Sequence, residues 1–212
     1  MTQVHSRKVE ITHRLAALGL TEDELMQAVK RGVLARSEVT LNHPPLFAGF
    51  VTWGTTVCAL REILIPKGWV RNDEGNYSVV VNPSGAFSIA VATGNEDTGN
   101  PDTTPTTKSP KGPSTRNAID ENLSQMALFP ELTLAVNDNA ADGRLTWLLL
   151  ISHDGSKVKS ELSLPIHCEG KVDAWQERII LPEIDLEPSN SISVTPVLPN
   201  LPDIEIDVRR IA

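Results

Sequence analysis

The stretch from residue 94 to residue 117 constrains this sequence most, because nothing in it can contribute to an apolar core. It reads GNEDTGNPDTTPTTKSPKGPSTRN and contains four prolines, three glycines and six threonines, with no aliphatic side chain. Such a segment has little to offset the entropy of ordering it. We therefore predict a long polar loop on the surface, either a linker or a functional loop. We expect proteolysis to begin there, near Lys108 or Lys111.

The residues before this loop show the apolar spacing of helices. A stripe between residues 7 and 18 predicts the first helix. Thr21 and Glu24 have the spacing of a capping box, in which each side chain accepts a hydrogen bond from the other residue's backbone N–H. This predicts the start of a second helix, which we expect to end near Gly32. A third stripe extends over residues 46–64 and predicts the longest helix.

The third predicted helix has one apolar face, because its other sides carry threonine and glutamate. Four side chains form that face: Trp53, Val57, Leu60 and Leu64. A helix with a single apolar stripe packs that stripe against another layer of structure. We expect it to pack on the strands that follow, against Val79, Val81, Ile89 and Val91. The competing interpretation is that the stripe is a partner-binding face left exposed in the monomer.

The apolar pattern changes after Gly68 from helical spacing to the alternation that is typical of strands. Residues 69–71, 77–81 and 87–92 predict three short strands joined by turns, which is an antiparallel meander. After the polar loop, residues 119–128 predict one short helix. The remaining segments with strand character are residues 132–136, 145–151, 158–164, 172–181, 192–194 and 204–208.

These elements place the chain in the α+β class. We expect N-terminal helices with a small antiparallel β-meander over residues 1–93, then a long polar loop and a short helix over 94–127. The residues from 128 to 212 predict a C-terminal antiparallel β-rich unit, sandwich-like or barrel-like, because they contain five or six strands. Whether 1–93 and 128–212 share one core stays open at this stage.

The charge of the chain argues against nucleic acid as a partner. It carries 19 Lys+Arg against 27 Asp+Glu, a formal net charge of −8. A helix over 46–64 followed by a hairpin has the order of a winged helix, but Asp73 and Glu74 would place negative charge at the tip of the hairpin. No apolar run reaches the roughly 20 residues that span a bilayer, and the N-terminus has no signal-peptide core. We expect a cytoplasmic protein that binds neither duplex DNA nor a membrane.

The motifs of the common enzyme and metal-site classes are missing from the sequence. It contains no GxSxG, GxGxxG or GxxxxGK[ST] pattern, and these patterns are typical of many hydrolases and nucleotide-binding proteins. Cys58 and Cys168 lack CxxC spacing, and His153 and His167 lie in no HExxH or HxxxH pattern. We therefore predict neither a metal site nor a cofactor.

One set of candidate site residues lies in the polar loop: Glu96, Asp97, Lys108 and Lys111. Carboxylates beside glycines are able to hold a hard cation, and lysines are able to bind phosphate. If these four side chains converge, the loop over 94–112 is the site or the lid of an enzyme or a ligand-binding protein. Their spacing fits neither a standard calcium loop nor a phosphate loop, so a polar surface loop is the competing interpretation.

A second set lies in the sequence DIEIDV over residues 203–208. Its apolar residues, Ile204, Ile206 and Val208, alternate with acidic ones, which predicts an edge strand with one apolar face. Such a strand either completes the protein's own sheet or adds to the sheet of a partner, because an edge has unpaired backbone groups. Addition to a second copy of the same chain would give a homo-oligomer.

We predict from these observations a non-enzymatic protein-protein interaction protein or an accessory subunit of a larger complex. Each catalytic pattern that we tested lacks a required residue, whereas predicted loops and edge strands are abundant. An enzyme or ligand-binding protein that uses the 94–112 loop is the alternative. A nucleic-acid-binding regulator that uses the N-terminal helices is a third interpretation. The first interpretation implies a protein partner.

The acidic balance predicts weak binding to duplex DNA. A protein binds DNA largely by neutralising phosphates with lysine and arginine, and this chain has a net charge of −8. We expect no nanomolar complex in a mobility-shift assay at about 150 mM salt. Nanomolar binding under these conditions would contradict the prediction, whereas a complex with a basic protein would not.

Overall fold

The computed structural model describes residues 2–128 and 144–186. Within these ranges the chain forms four α-helices and one eight-stranded sheet. The predicted α+β class with N-terminal helices is confirmed. The helices are α1 (Lys8–Ala17), α2 (Glu22–Ser37), α3 (Phe47–Leu64) and α4 (Pro113–Leu128).

The strands lie side by side in one sheet. They are β1 (Gln3–His5), β2 (Val70–Asn72), β3 (Val79–Val81), β4 (Phe87–Thr93), β5 (Leu145–Asp154), β6 (Lys157–Glu169), β7 (Lys171–Ile180) and β8 (Ile184–Asp185). Their order across the sheet is β1-β7-β6-β5-β4-β3-β2, and β8 pairs with β6 beyond the end of β7. The β1–β7 and β4–β5 pairs are parallel, and the other pairs are antiparallel.

The parallel contact between β4 and β5 differs from the sequence expectation. The two strands pair from Phe87 opposite Leu145 to Thr93 opposite Ile151. The predicted meander and the predicted C-terminal strands are therefore two parts of one mixed sheet, and the described β-rich unit is not a separate sandwich or barrel. Parallel neighbours need a long crossover connection, and the 94–112 loop and α4 are parts of that connection.

Side chains on the two faces of the sheet belong to two different apolar clusters. Ile89 and Val91 face α1, α2 and α3, whereas Ala90 and Ala92 face the side of α4. The first cluster contains residues of the three N-terminal helices together with Trp147 of β5 and residues of β6 and β7. The N-terminal region and the strands after residue 144 thus contribute to the same core.

The start of α2 is confirmed, but its end lies further along the chain than we expected. Thr21 Oγ1 accepts a hydrogen bond from the Glu24 N–H at 3.3 Å, and the Glu24 carboxylate accepts one from the Thr21 N–H at 2.7 Å. The helix continues past Gly32 to Ser37. A Cβ atom on Gly32 would overlap Thr56 Oγ1. The glycine therefore allows close packing of α2 on α3 and does not end the helix.

The predicted apolar face of α3 is buried over the C-terminal half of the helix. Val57, Leu60 and Leu64 belong to the core, while Trp53 is only partly buried at its edge. The core contacts of this helix with α2 and the sheet are therefore concentrated after its midpoint.

The side chains of β3 face the opposite way from the prediction. Ile89 and Val91 share the core of α3, as expected, but Val80 joins them there, while Val79 and Val81 face the side of α4. All three valines are buried, because both faces of the sheet are covered. A strand buried on both faces shows no apolar–polar alternation, so its sequence does not reveal which face is which.

The helix α4 contacts the sheet partly through a polar side chain. Ile119 is buried, as expected, but Leu123 is 45% exposed. Asn122 is fully buried, and its amide donates hydrogen bonds to the carbonyls of Thr146 and Pro165 at 3.0 and 2.9 Å. Its side-chain oxygen accepts a hydrogen bond from the Thr146 N–H at 2.7 Å. These bonds hold α4 on β5 and β6.

The strands predicted at 145–151, 158–164 and 172–181 are confirmed as β5, β6 and β7. The short strand β1 has no counterpart among the predicted strands, and it pairs with β7 at the edge of the sheet. The strands predicted at 132–136, 192–194 and 204–208 lie outside the described residues.

Replacing Leu60 by alanine is expected to lower the free energy of unfolding by about 2–5 kcal/mol, because truncating a buried leucine leaves a cavity. Leu60 is 1% exposed in the core between α3 and the sheet. Equilibrium denaturation with urea measures the change. Cys58→Ala, on the exposed side of the same helix, is the control, with an expected change within about 0.5 kcal/mol. An unchanged midpoint for Leu60→Ala would contradict the core assignment.

Candidate interaction surface

Four large apolar side chains are exposed within the short stretch where α2 is followed by α3. We call this surface the α2–α3 apolar patch and define it by Leu34, Leu41, Leu46 and Phe50. Their exposed fractions are 66%, 105%, 86% and 64%, in that order. Leu41 and Leu46 lie in the connector between the helices, so the four residues extend along the chain from the end of α2 to the start of α3.

The patch is exposed because the core contacts of α3 begin late in the helix. None of residues 47–55 is fully buried, and the first buried side chain is Thr56. The sequence gives this half of the helix the same apolar character as the buried half. A surface helix normally turns such residues inward, so an exposed set of them indicates a contact surface.

Aromatic rings at the start of α3 contact one another. The rings of His43 and Phe47 stack with centroids 4.8 Å apart and an angle of 11° between their planes. The rings of Phe50 and Trp53 lie 5.8 Å apart. Such pairs add to the stability of the local arrangement, so Phe50, the patch residue on α3, is held against Trp53.

One helix of the described residues, over Phe47–Lys67, has the length and composition of a membrane span. Its C-terminal half is part of the protein core. The exposed remainder of the helix is much shorter than the roughly 20 apolar residues that cross a bilayer. About a quarter of this span is buried inside the protein, where Val57, Leu60 and Leu64 join the core.

A buried ion pair lies on the other face of the sheet, between β6 and β7. Arg178 Nε donates to Glu161 Oε1 at 3.0 Å, and Arg178 Nη2 donates to Glu161 Oε2 at 2.6 Å. The Ser163 hydroxyl and the Gly99 N–H also donate to this carboxylate, at 2.7 and 2.8 Å. The two side chains are 2% and 0% exposed, so the polar loop and the sheet enclose the pair.

The same arginine holds the 94–112 loop against the sheet. Arg178 donates to the carbonyls of Thr103 and Asn100, at 2.6 and 3.0 Å. The indole N–H of Trp175 donates to the Pro105 carbonyl at 2.8 Å. The sequence predicts a loop lying on the surface without burial, but Thr98 and other parts of the loop are fully buried. The backbone carbonyls of the loop make this possible, because they accept hydrogen bonds from the buried side chains of Arg178 and Trp175.

The four predicted loop-site residues are spread along the loop. Glu96 and Lys108 are exposed, while Asp97 and Lys111 are half-buried. Asp97 accepts a hydrogen bond from the Asn95 amide at 2.8 Å, and burial lowers the pKa of Lys111. In the described part of the chain, no hydrogen bond or ion pair joins two of the four side chains. Their use as a site stays a prediction without a supporting contact.

The histidines considered as metal ligands lie at opposite ends of β6. His153 of β5 pairs with Val158, whereas His167 lies near the other end of that strand, about 30 Å away at 3.3 Å per residue. His167 Nδ1 lies 2.6 Å from Asp173 Oδ1, and this hydrogen bond raises the pKa of His167. Across residues 2–128 and 144–186, no group of three His, Cys, Asp or Glu side chains is placed to hold a metal ion.

A polar cleft of about 630 Å³ lies between the start of α4 and the turn that joins β2 to β3. At its edge the Ser114 hydroxyl donates to the Gly75 carbonyl at 3.2 Å. Burial raises the pKa of Tyr77, which lines the cleft, to about 12. Its hydroxyl therefore stays protonated at neutral pH. The hydroxyl oxygen is itself buried, so the cleft presents the polar groups of its other lining residues, among them Asn72, Ser114 and Asn117.

Sequence reasoning missed the buried ion pair. Glu161 and Ser163 alternate with apolar residues in β6, a pattern that predicts a face in contact with water. The loop covers this face instead. The signal available in the sequence was the loop itself, whose many threonines and asparagines are suited to cover a polar face. The second predicted set, Ile204, Ile206 and Val208, lies outside the described residues.

No protein-family model, no curated protein and no solved structure matches this chain. The surfaces of the described residues are therefore the observations from which a function is proposed below. They comprise the α2–α3 apolar patch, the polar cleft beside α4 and the loop held by the buried ion pair.

Replacing Arg178 by leucine is expected to cost about 3–5 kcal/mol of the free energy of unfolding, because the Glu161 carboxylate stays buried without its cation. The change also removes the hydrogen bonds to the loop carbonyls, so trypsin should cut near Lys108 faster. Urea denaturation and timed proteolysis measure the two effects. The control is Lys157→Leu, which removes a half-exposed ion pair with Glu183 and should change neither. If the two variants have the same free energy of unfolding and the same rate of cleavage near Lys108, the buried pair does not hold the loop on the sheet.

Proposed function

We propose that this protein is a non-enzymatic protein-protein interaction protein, acting as an accessory subunit of a larger complex, and that the α2–α3 apolar patch is its contact surface. The exposure of four large apolar side chains within residues 34–50 carries this proposal. Monomeric soluble proteins rarely expose large contiguous apolar patches, and such patches mark binding surfaces. Burial of such a surface in an interface contributes about 25 cal/mol of favourable free energy per Å² of apolar area removed from water.

The chemistry around the patch favours a protein as the partner. Phe50 and Trp53 offer adjacent aromatic rings at the surface of α3, and aromatic side chains dominate the energy of many protein interfaces. Lys30 and Arg36 of α2 lie beside the patch. A partner with an apolar ridge and acidic groups at its rim would therefore complement this surface.

The alternative function, an enzyme or ligand-binding protein that uses the 94–112 loop, has less support. The loop carbonyls of Asn100, Thr103 and Pro105 are already bonded to the sheet. Movement of the loop as a lid would break these bonds and expose the pair of Glu161 with Arg178, at a large cost in free energy. We therefore assign the loop a structural role.

A cytoplasmic location without a membrane contact is part of the proposal. The apolar character of Phe47–Lys67 makes a lipid surface the competing explanation for the patch. Flotation of the protein with vesicles of neutral and of anionic lipid distinguishes the two. We expect no binding to either kind of vesicle, and binding that is lost on mutation of the patch would contradict the proposal.

The patch variant Leu41→Ser/Leu46→Ser/Phe50→Ser is expected to lose partner binding and to stay folded. Its three side chains are exposed, so the free energy of unfolding should fall by little more than the roughly 0.5–1.5 kcal/mol of the lost contact between the Phe50 and Trp53 rings. Affinity purification from the native host identifies the partner, and titration of the purified partner then measures the dissociation constant. We expect binding at least tenfold weaker, because the variant removes apolar anchors from the interface.

The matched control is Val70→Ser/Leu123→Ser, which removes exposed apolar side chains on other parts of the surface. It should bind the partner as tightly as the unchanged protein does. Equal binding by the patch variant and the control would show that the contact surface lies elsewhere, and the proposal would then be wrong.

A further inference from the structure

A groove lies beside the α2–α3 apolar patch, between α2 and the end of β8, with a volume of about 950 Å³. We call it the α2–β8 groove. One wall is the face of α2 that carries Lys30, Val33 and Leu34, and the opposite wall contains Ile184 and Leu186. Concave sites with apolar walls and a few polar groups are typical ligand sites.

The groove also carries positive charge. Lys30 and Arg36 line it, and neither forms an ion pair with a carboxylate of the described residues. Asp185, an acidic residue in the wall, lies 3.9 Å from its cationic neighbour Lys157. Burial and the nearby Arg36 charge lower the pKa of His153, so this histidine is neutral near pH 7. A ligand with apolar side chains and carboxylates therefore complements the groove.

The chain itself contains a segment of that chemistry. Residues 203–208 read DIEIDV, in which acidic and apolar side chains alternate strictly. Leu186 lines the groove and is the last described residue before this part of the chain. Residues 187–202 connect the two, and a connection of up to about 3.3 Å per residue lets the segment reach every part of the groove.

We propose that residues 203–208 bind in the α2–β8 groove. The carboxylates of the segment lie near Lys30 and Arg36, and its apolar side chains, on the other face of the segment, contact the opposite wall with Ile184 and Leu186. A tethered segment has a local concentration in the millimolar range. A dissociation constant of about 0.1 mM is then enough to keep the groove about nine-tenths occupied.

Hydrogen–deuterium exchange of the full chain, read by mass spectrometry of peptides covering 203–208, tests the binding. At nine-tenths occupancy, amides protected in the bound state exchange about tenfold slower than in a free peptide of the same sequence. The groove variant Lys30→Glu/Arg36→Glu should lose about tenfold in affinity and exchange about fivefold faster than the unchanged chain. The control Lys8→Glu/Lys171→Glu changes the net charge equally at exposed sites outside the groove and should not change the exchange.

A charge-swap experiment tests whether residues 203–208 and the α2–β8 groove contact each other. The segment variant Asp203→Lys/Glu205→Lys/Asp207→Lys should also lose protection, and it leaves residues 2–186 unchanged. Combining it with the groove variant restores opposite charges and should regain at least threefold in protection over either variant alone. If the groove variant does not fold, the segment variant alone tests the proposal. Protection of the amides of residues 203–208 from exchange must then fall about fivefold in that variant.

Three results would overturn the proposal. The first is exchange of 203–208 in the unchanged chain at the rate of the free peptide. The second is equal protection in the groove variant and the unchanged chain, which would place the segment elsewhere. The third is protection that rises with protein concentration, which would identify a second copy as the occupant. Partner binding by the patch is measured separately, so its failure and the failure of this proposal are distinguishable.

Discussion

The buried ion pair between Glu161 and Arg178 couples the two least similar parts of the chain, the polar loop and the apolar sheet. Removing two such charges from water costs several kcal/mol, and good geometry with further hydrogen bonds must offset that cost. Here Ser163 and Gly99 complete the contacts of the carboxylate, and loop carbonyls complete those of the guanidinium. The loop cannot leave the sheet without breaking this network, and the sheet cannot keep the pair buried without the loop.

This coupling explains why the strands form one sheet covered on both faces. With the 94–112 loop and α4 on one side and the N-terminal helices on the other, β4 and β5 pair in parallel at the centre. A parallel pair needs a long crossover between its strands, and the loop supplies part of its length. The segment that looks like a linker in sequence is thus part of the layer that closes the fold.

The helix α3 serves two purposes that its sequence does not separate. Its C-terminal half fills the core through Leu60 and Leu64, while its N-terminal half exposes Phe50 and leaves Trp53 only partly buried. The boundary lies at Thr56, the first buried residue of the helix, where α3 packs closely on Gly32 of α2. Phe50, before that boundary, stays exposed and belongs to the surface that we propose as the contact for a partner.

The sequence by itself determined the elements that depend on local physics. The capping box at Thr21, the stripe that ends at Leu64 and the strands from β5 to β7 follow from hydrogen bonding and spacing within a few residues. Only the tertiary structure decided features that depend on what covers each face. Val80 rather than its neighbours faces α3, Asn122 rather than Leu123 faces the sheet, and Glu161 is buried under a polar loop. In each case the local pattern fits more than one arrangement, and contacts between residues far apart in the chain select one of them, because burial depends on the neighbours that fold against a side chain as well as on its own polarity.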